Sequence, residues 1–256
     1  MTNTARGLFV VTLIVLVAGS MAANAQGVIL QLSSEDRQMI DGKLGPIVDY
    51  ALPSAPIGEA TEYFPLRERT STYKITSGHH AGKVQTLSLS RIPRPDGRFG
   101  WRLQLSASLA AFIDRTSAGD LIMPTVGDVR EGVVVITTPA NPFVLKGMVP
   151  GEARSYLQRV SVTARDDPAD EEYSGYLNGT YTYLGTFQVT VPAGRFTAVL
   201  VRLKCHGKVG PAVTDDAAYY FFAPGRGVVA MISQEDATAF WIIHINSSAG
   251  RVLLSD

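Results

Sequence analysis

From about Thr70 to the C-terminus, apolar side chains recur at every second residue rather than every 3.6. Trp101, Leu103, Leu105, Ala107 and Leu109 alternate with Arg102, Gln104, Ser106 and Ser108. Tyr181, Tyr183, Phe187, Val189 and Val191 alternate in the same way with Thr182, Thr186, Gln188 and Thr190. Successive side chains of a strand point to opposite faces, so these segments read as strands with one buried and one wetted face. That pattern favours antiparallel sheets, because parallel sheets are covered on both faces. Gly132-Val133-Val134-Val135-Ile136 is apolar throughout and reads as a more central strand.

Turn chemistry separates the strands. Pro95-Asp96-Gly97 links two of them. Val191-Pro192-Ala193-Gly194 fits a type I turn, with proline presetting φ at the second position, and Ala223-Pro224-Gly225-Arg226 fits type II, where glycine supplies the positive φ. One helix is expected ahead of the strands. Ser33 or Ser34 caps it, Glu35 and Asp36 complement its positive end, Met39, Ile40 and Leu44 form its apolar face, and Gly45-Pro46 ends it. Residues 46–65 hold four prolines and read as an extended linker on the surface. The expected fold is mainly β: an antiparallel curved sheet or partly open barrel with a short N-terminal helix.

Residues 1–25 read as a secretory signal. Arg6 supplies the positive start, Leu8 to Ala18 an apolar run of 11 residues, and Ala23-Asn24-Ala25 the cleavage site. The run is short for a membrane span, which needs about 20 apolar residues. Ser20 stands where a lipoprotein would carry its lipidated cysteine. The expected location is therefore periplasmic or extracellular, with no stable membrane insertion after cleavage. The organisation expected is a signal over 1–25, helix and linker over 26–69, and a single β domain over 70–256. The acidic loop Arg165 to Glu172 is where two strand-rich halves of that domain would meet.

Lys+Arg and Asp+Glu both number 23, so there is no basic footprint for nucleic acid. A single cysteine excludes an internal disulfide framework and a cysteine-based zinc site. Gly225-Arg226-Gly227-Val228-Val229-Ala230 matches G-x-G-x-x-A, but β-branched residues follow where a phosphate-binding helix is required. His79 and His80 are adjacent in a hairpin loop, where a strand would send them to opposite faces rather than to one metal. Cys205 shares parity with Val199, Val201 and Leu203 and is expected to face the core as a small hydrophobe. Asp166-Asp167 and Asp215-Asp216 read as turn acids, and His244 as a core histidine. No residue is nominated as catalytic, cofactor-binding or metal-binding, and no cofactor is expected.

Two segments carry large side chains on both faces: Tyr219-Tyr220-Phe221-Phe222 and Phe240-Trp241-Ile242-Ile243. In a sheet with an open interior, inward aromatics line an apolar cleft. Tyr219, Phe221, Phe240 and Trp241 are the candidates for such a cleft.

The stretch Gly185 to Phe196, containing Val191-Pro192-Ala193-Gly194-Arg195-Phe196, leads on to Tyr220-Phe221-Phe222-Ala223-Pro224-Gly225-Arg226-Gly227-Val228-Val229. This arrangement resembles uncharacterised bacterial secreted β-proteins, a domain of unknown function with a V-P-A-G-x-F turn and an aromatic-A-P-G-x-G-x-V hairpin. Tyr63-Phe64-Pro65-Leu66 with Tyr73 is similar to their opening segment, whereas Arg67-Glu68-Arg69 and Ser71 stand where a glycine and a tryptophan are usual. The resemblance rests on turns, so it implies a fold and carries over no catalytic residue.

The function expected is that of an exported, non-enzymatic binding or structural module with an apolar ligand cleft, its partner an apolar small molecule or an envelope protein. Two alternatives stand beside it. One is a secreted hydrolase with carboxylates assembled by the fold. The other is an envelope assembly or surface-interaction module, which a large exposed apolar patch would mark.

Overall fold

The structure is a computed structural model and describes residues 27–94, 99–167, 169–239 and 243–256. The signal segment, the Pro95-Asp96-Gly97 turn, Phe240 and Trp241 lie outside the described residues.

Four short elements come first: β1 (Val28–Ile29), α1 (Ser34–Leu44), β2 (Val48–Ser54) and α2 (Ala60–Tyr63). Then come β3 (Arg69–Ile75), β4 (Val84–Pro93), β5 (Phe99–Gln104), β6 (Leu109–Arg115), β7 (Leu121–Asp128) and β8 (Val133–Val144). They are followed by β9 (Ala153–Ala164), β10 (Glu171–Val191), β11 (Gly194–Val209), β12 (Ala212–Ala223), β13 (Gly227–Ala239) and β14 (Ile243–Ser255). From β3 onward each strand pairs antiparallel with the next. β14 then returns to β3, with Arg251 opposite Ile75 and Leu253 opposite Tyr73. The twelve strands therefore form a closed up-and-down ring rather than a partly open one. Closure removes the unpaired edges that an open sheet would leave.

Every strand in a closed ring is central. The run from Val133 to Ile136 is nevertheless not covered on both faces, and Ile136 is 37% exposed on the outside. The acidic loop joins β9 to β10, which pair with each other on either side of it, from Glu171↔Thr163 to Thr182↔Ala153.

The ring has a strong polarity across its wall. On β4, Leu87 and Leu89 face the interior, and Thr86, Ser88 and Ser90 alternate with them. On β11, Leu203 and Cys205 face inward, while Arg202, Lys204, His206 and Lys208 alternate outward. The period-two pattern of the sequence is thus an inside–outside pattern of a barrel.

The N-terminal segment covers part of the outside and plugs one end. Ser33 caps α1, its hydroxyl accepting from the Asp36 N–H at 3.0 Å, and Gly45 ends the helix at φ +78°. Ile40 and Leu44 are buried. α1 lies across β11 to β14, where Asp36 meets Arg202 at 2.7 Å and Tyr219 at 2.9 Å. The Pro-rich stretch is not a surface linker. It supplies β2, which pairs with the far part of β10 from Thr186↔Leu52 to Val189↔Val48, and it buries Ile47, Val48, Ile57 and Phe64. β10 can serve both β9 and β2 because a bulge at Tyr183/Gly185 turns its last third out of the ring.

The segment from Ile57 to Phe64 crosses one end of the barrel. Ile57 N–H donates to Met148 O at 2.9 Å, and Gly225 N–H to Glu62 O at 2.7 Å. Phe64 then packs edge-on against Phe143 and Phe222, with ring centroids 4.9 and 6.5 Å away. Tyr220 stacks on Phe222 at 5.7 Å to complete an aromatic floor.

Candidate functional site: the barrel interior

Above that floor the barrel encloses a cavity of about 1330 Å³. Twelve strands explain the space. Eight strands give an interior that side chains just fill, and the diameter grows with strand number. Most of the wall is aliphatic: Leu87, Leu103, Leu105, Leu109, Val135, Leu203 and Met231 all face the space.

One side of the wall is polar. Arg251 points inward from β14; its Nε donates to Gln85 Oε1 at 2.6 Å and its Nη1 to Ser233 Oγ at 3.2 Å. Gln85 Nε2 in turn donates to Leu105 O. Across the barrel, Gln158 is fully buried and its Nε2 donates to Pro139 O at 2.8 Å. Near the floor the Tyr73 hydroxyl donates to Val228 O at 2.7 Å, and burial pushes its pKa up to about 12. These bonds fix polar side chains that would otherwise be costly to bury.

The rim opposite the aromatic floor is formed by the β3–β4 loop and its neighbours. His79, His80 and Lys83 from that loop and Lys43 from the end of α1 line the opening. The loop is held in place. Thr76 Oγ1 donates to Lys43 O at 2.6 Å, Gly82 N–H to Ile75 O at 2.8 Å, and Gly250 N–H to Ser77 Oγ at 2.8 Å.

Cys205 is buried, lines the cavity, and has the Tyr156 hydroxyl 3.7 Å from its Sγ. Burial pushes the thiol pKa up, so it stays protonated and is a poor nucleophile. Asp216 lines the cavity from β12 and is the one carboxylate among the described lining residues. Asp215 is exposed, and Asp166 and Asp167 lie in the exposed loop after β9. Gly225 precedes β13 and Gly227 opens it; a strand follows, so no helix N-terminus is offered to a phosphate there. His79 and His80 sit edge-to-face with ring centroids 4.9 Å apart. His244 falls in β14.

The aromatic strand β12 has the opposite sidedness to the expectation for its cleft residues. Tyr219 lies under α1, where its hydroxyl donates to Asp36, and Phe221 shares its face by the period-two rule. Tyr220, not Tyr219 or Phe221, is the aromatic residue of that strand that lines the cavity. The reason is that both faces of β12 are covered, one by the barrel interior and the other by α1. Aromatic content alone therefore could not assign the inner face. Arg251, Gln85 and Lys43 were not singled out by sequence. Arg251 carried the only available signal, a cation at the same parity as Ala249 and Leu253.

Solved structures similar to the chain include a candidate exported protein with a YmcC-like fold from Bacteroides fragilis. It is 12% identical, the match covers 79% of this chain and 98% of that one, and the TM-score is 0.37. A candidate lipoprotein from Parabacteroides distasonis is also similar, at 12% identity, 75% and 97% coverage and a TM-score of 0.34. No protein-family model and no curated protein matches the chain.

Proposed function

We propose that this chain is an exported, water-soluble binding protein that holds an apolar or amphipathic small molecule inside its barrel. The observation that carries this reading is the cavity of about 1330 Å³ with an aliphatic wall. Ligand sites for drug-sized molecules are roughly 300–1,000 Å³, so the space suits a long hydrocarbon or several rings. Burial of such a ligand is favourable by roughly 25 cal/mol per Å² of apolar surface removed from water.

The outside of the barrel supports a life in water. A membrane barrel turns apolar residues outward and keeps polar ones in its lumen. Here Arg202, Lys204, His206 and Lys208 alternate outward on β11, with leucine and valine inside. The N-terminal pattern ending in Ala23-Asn24-Ala25 supports export, and the proline-glycine turns resemble those of secreted β-proteins. A hydrolase of the paired-acid type needs two carboxylates across a cleft. The described lining residues supply Asp216 alone, which favours binding over that chemistry. On the face formed by β8 to β12, the exposed apolar side chains Ile136, Leu157, Tyr176 and Val213 are interspersed with Arg159, Asn178 and Lys208, which favours contact with water there.

The test is native mass spectrometry of the protein secreted by its host, together with titration of the neutral fluorophore N-phenyl-1-naphthylamine. The expected result is a co-purified small molecule or, after delipidation, one saturable fluorophore site that added lipid empties. A delipidated, folded protein that takes up neither fluorophore nor lipid sinks the proposal.

A further inference from the structure

We infer that the molecule held in the barrel is an anionic amphiphile, with its chain on the aliphatic wall and its acidic head at the rim formed by Lys43, Lys83, His79 and His80. This rests on the reading of the barrel interior as a ligand site and adds the chemical class of the ligand. The charge distribution carries it. The chain as a whole balances 23 cations against 23 carboxylates. The described residues that line the cavity do not balance: Lys43, Arg69, Lys83 and Arg251 stand against Asp216.

Lys146 and Lys204 are paired with Glu59 and Glu35. The rim lysines Lys43 and Lys83 are not held by carboxylates, a state they share among the described residues with the outward Lys74 and Lys208; what distinguishes them is that they line the cavity opening. Their position is fixed, since the Thr76 hydroxyl and the Lys43 carbonyl bind the end of α1 to the β3–β4 loop. Gly78, at φ +88°, lies so close to Ser248 O that a Cβ would collide with it, which pins the loop to β14.

The geometry orders the ligand. Immediately below the rim, Arg251 and Gln85 continue the polar side of the wall, and Leu103, Leu105 and Leu109 carry the aliphatic wall on from it on the neighbouring strands. An apolar cavity with a cationic, water-exposed rim matches a molecule with a long tail and one negative end. Low-dielectric walls behind the rim strengthen its field relative to the same charges in open water. A carboxylate and a phosphate head meet the same requirement, so the shared chemistry is an anionic group on a hydrocarbon chain.

The experiment compares oleate, oleyl phosphate, oleyl alcohol and inorganic phosphate on the full delipidated protein by fluorophore displacement and calorimetry. Both anionic lipids are expected to bind about tenfold more tightly than oleyl alcohol at low salt. That advantage should shrink near 1 M salt, where the screening length is about 3 Å. The double variant Lys43→Gln/Lys83→Gln should lose it while binding oleyl alcohol as before. Lys74→Gln, an exposed change on the outward face of β3, should leave it intact. Which anionic lipid binds more tightly separates a carboxylate from a phosphate head. Equal affinity for oleyl alcohol and oleate, or a double variant that keeps the preference, overturns the inference but leaves the barrel a ligand site. Inorganic phosphate binding as tightly as oleyl phosphate overturns it as well. Failure of all three lipids defeats the ligand reading itself.

Discussion

Asp36 is the residue on which the packing of the N-terminal segment turns. It is 3% exposed, and its oxygens accept from Ser33, Arg202 and Tyr219 at 2.7, 2.7 and 2.9 Å. Burial alone would raise its pKa, but the three hydrogen bonds outweigh it and hold the carboxyl below the usual carboxylate range. The folded state therefore takes up this proton less readily than the unfolded chain. The stability it contributes is full above the ordinary carboxylate pKa and is lost as pH falls through the depressed value. Asp36→Ala leaves Arg202 without its anion and should destabilise by about 3 kcal/mol in urea melts at pH 7. The variant should also show a smaller loss of stability on acidification than the parent. Cys205 is the residue-scale probe of the interior. Its thiol should react with iodoacetamide far more slowly in the native protein than in urea, because it is buried and protonated. Equal rates would place it outside the core.

At the scale of elements, α1 is attached at both ends by contacts that can be cut separately. Ser33→Ala removes the cap hydroxyl and should cost about 1 kcal/mol. Gly250 on β14 lies against the last turn of α1, and a Cβ there would meet the Lys43 carbonyl and the Thr76 hydroxyl. Gly250→Ala should cost roughly 1–3 kcal/mol, because the obstacle includes rigid backbone. Two melts at or above the parent midpoint would show that α1 is not docked this way. The turn after β12 gives a further check. Gly225 sits at φ +75° with nothing near its Cβ position, so Gly225→Val should lose roughly 1–3 kcal/mol from backbone strain alone. Its sign and place were legible in Ala223-Pro224-Gly225-Arg226, since a type II turn needs positive φ there. The role of residues 46–65 was not legible. Four prolines suggested a linker, yet Ile47, Val48 and Ile57 are buried, because β10 is long enough to offer β2 a partner below the ring.

For the whole molecule, the decisive quantity is the space left inside twelve strands. Ala218 faces that space from β12, opposite Leu203 and Ser233 on the neighbouring strands. Ala218→Trp should fill part of it. Fluorophore binding should fall by an order of magnitude or more, about 1.4 kcal/mol per tenfold, while the melting midpoint moves little because the indole enters a void and not a packed core. A folded variant that binds as the parent does would place the ligand elsewhere. The same ring explains why the aromatic candidates could not be sorted in advance. Tyr219 lies under α1, with Phe221 on the same face, and Tyr220 lies in the cavity; the alternation of β12 is identical for either assignment.

The sequence by itself determined the alphabet of this fold. Alternation by twos fixed the strands, serine and glycine fixed the ends of α1, and glycine at positive φ fixed the turn after β12; each is a local steric or hydrogen-bonding requirement. Only the tertiary structure decided that the sheet closes, since the pairing of Arg251 with Ile75 joins segments from opposite ends of the chain. Nothing local in either segment encodes the other. It also decided which face of β12 is the inner one, because that depends on where α1 lands. The cavity follows from both. Its wall was written in the leucines and valines of the strands, but its existence depends on strand number and closure. The gathering of Lys43, Lys83 and Arg251 from three elements around one opening is a property of the closed ring.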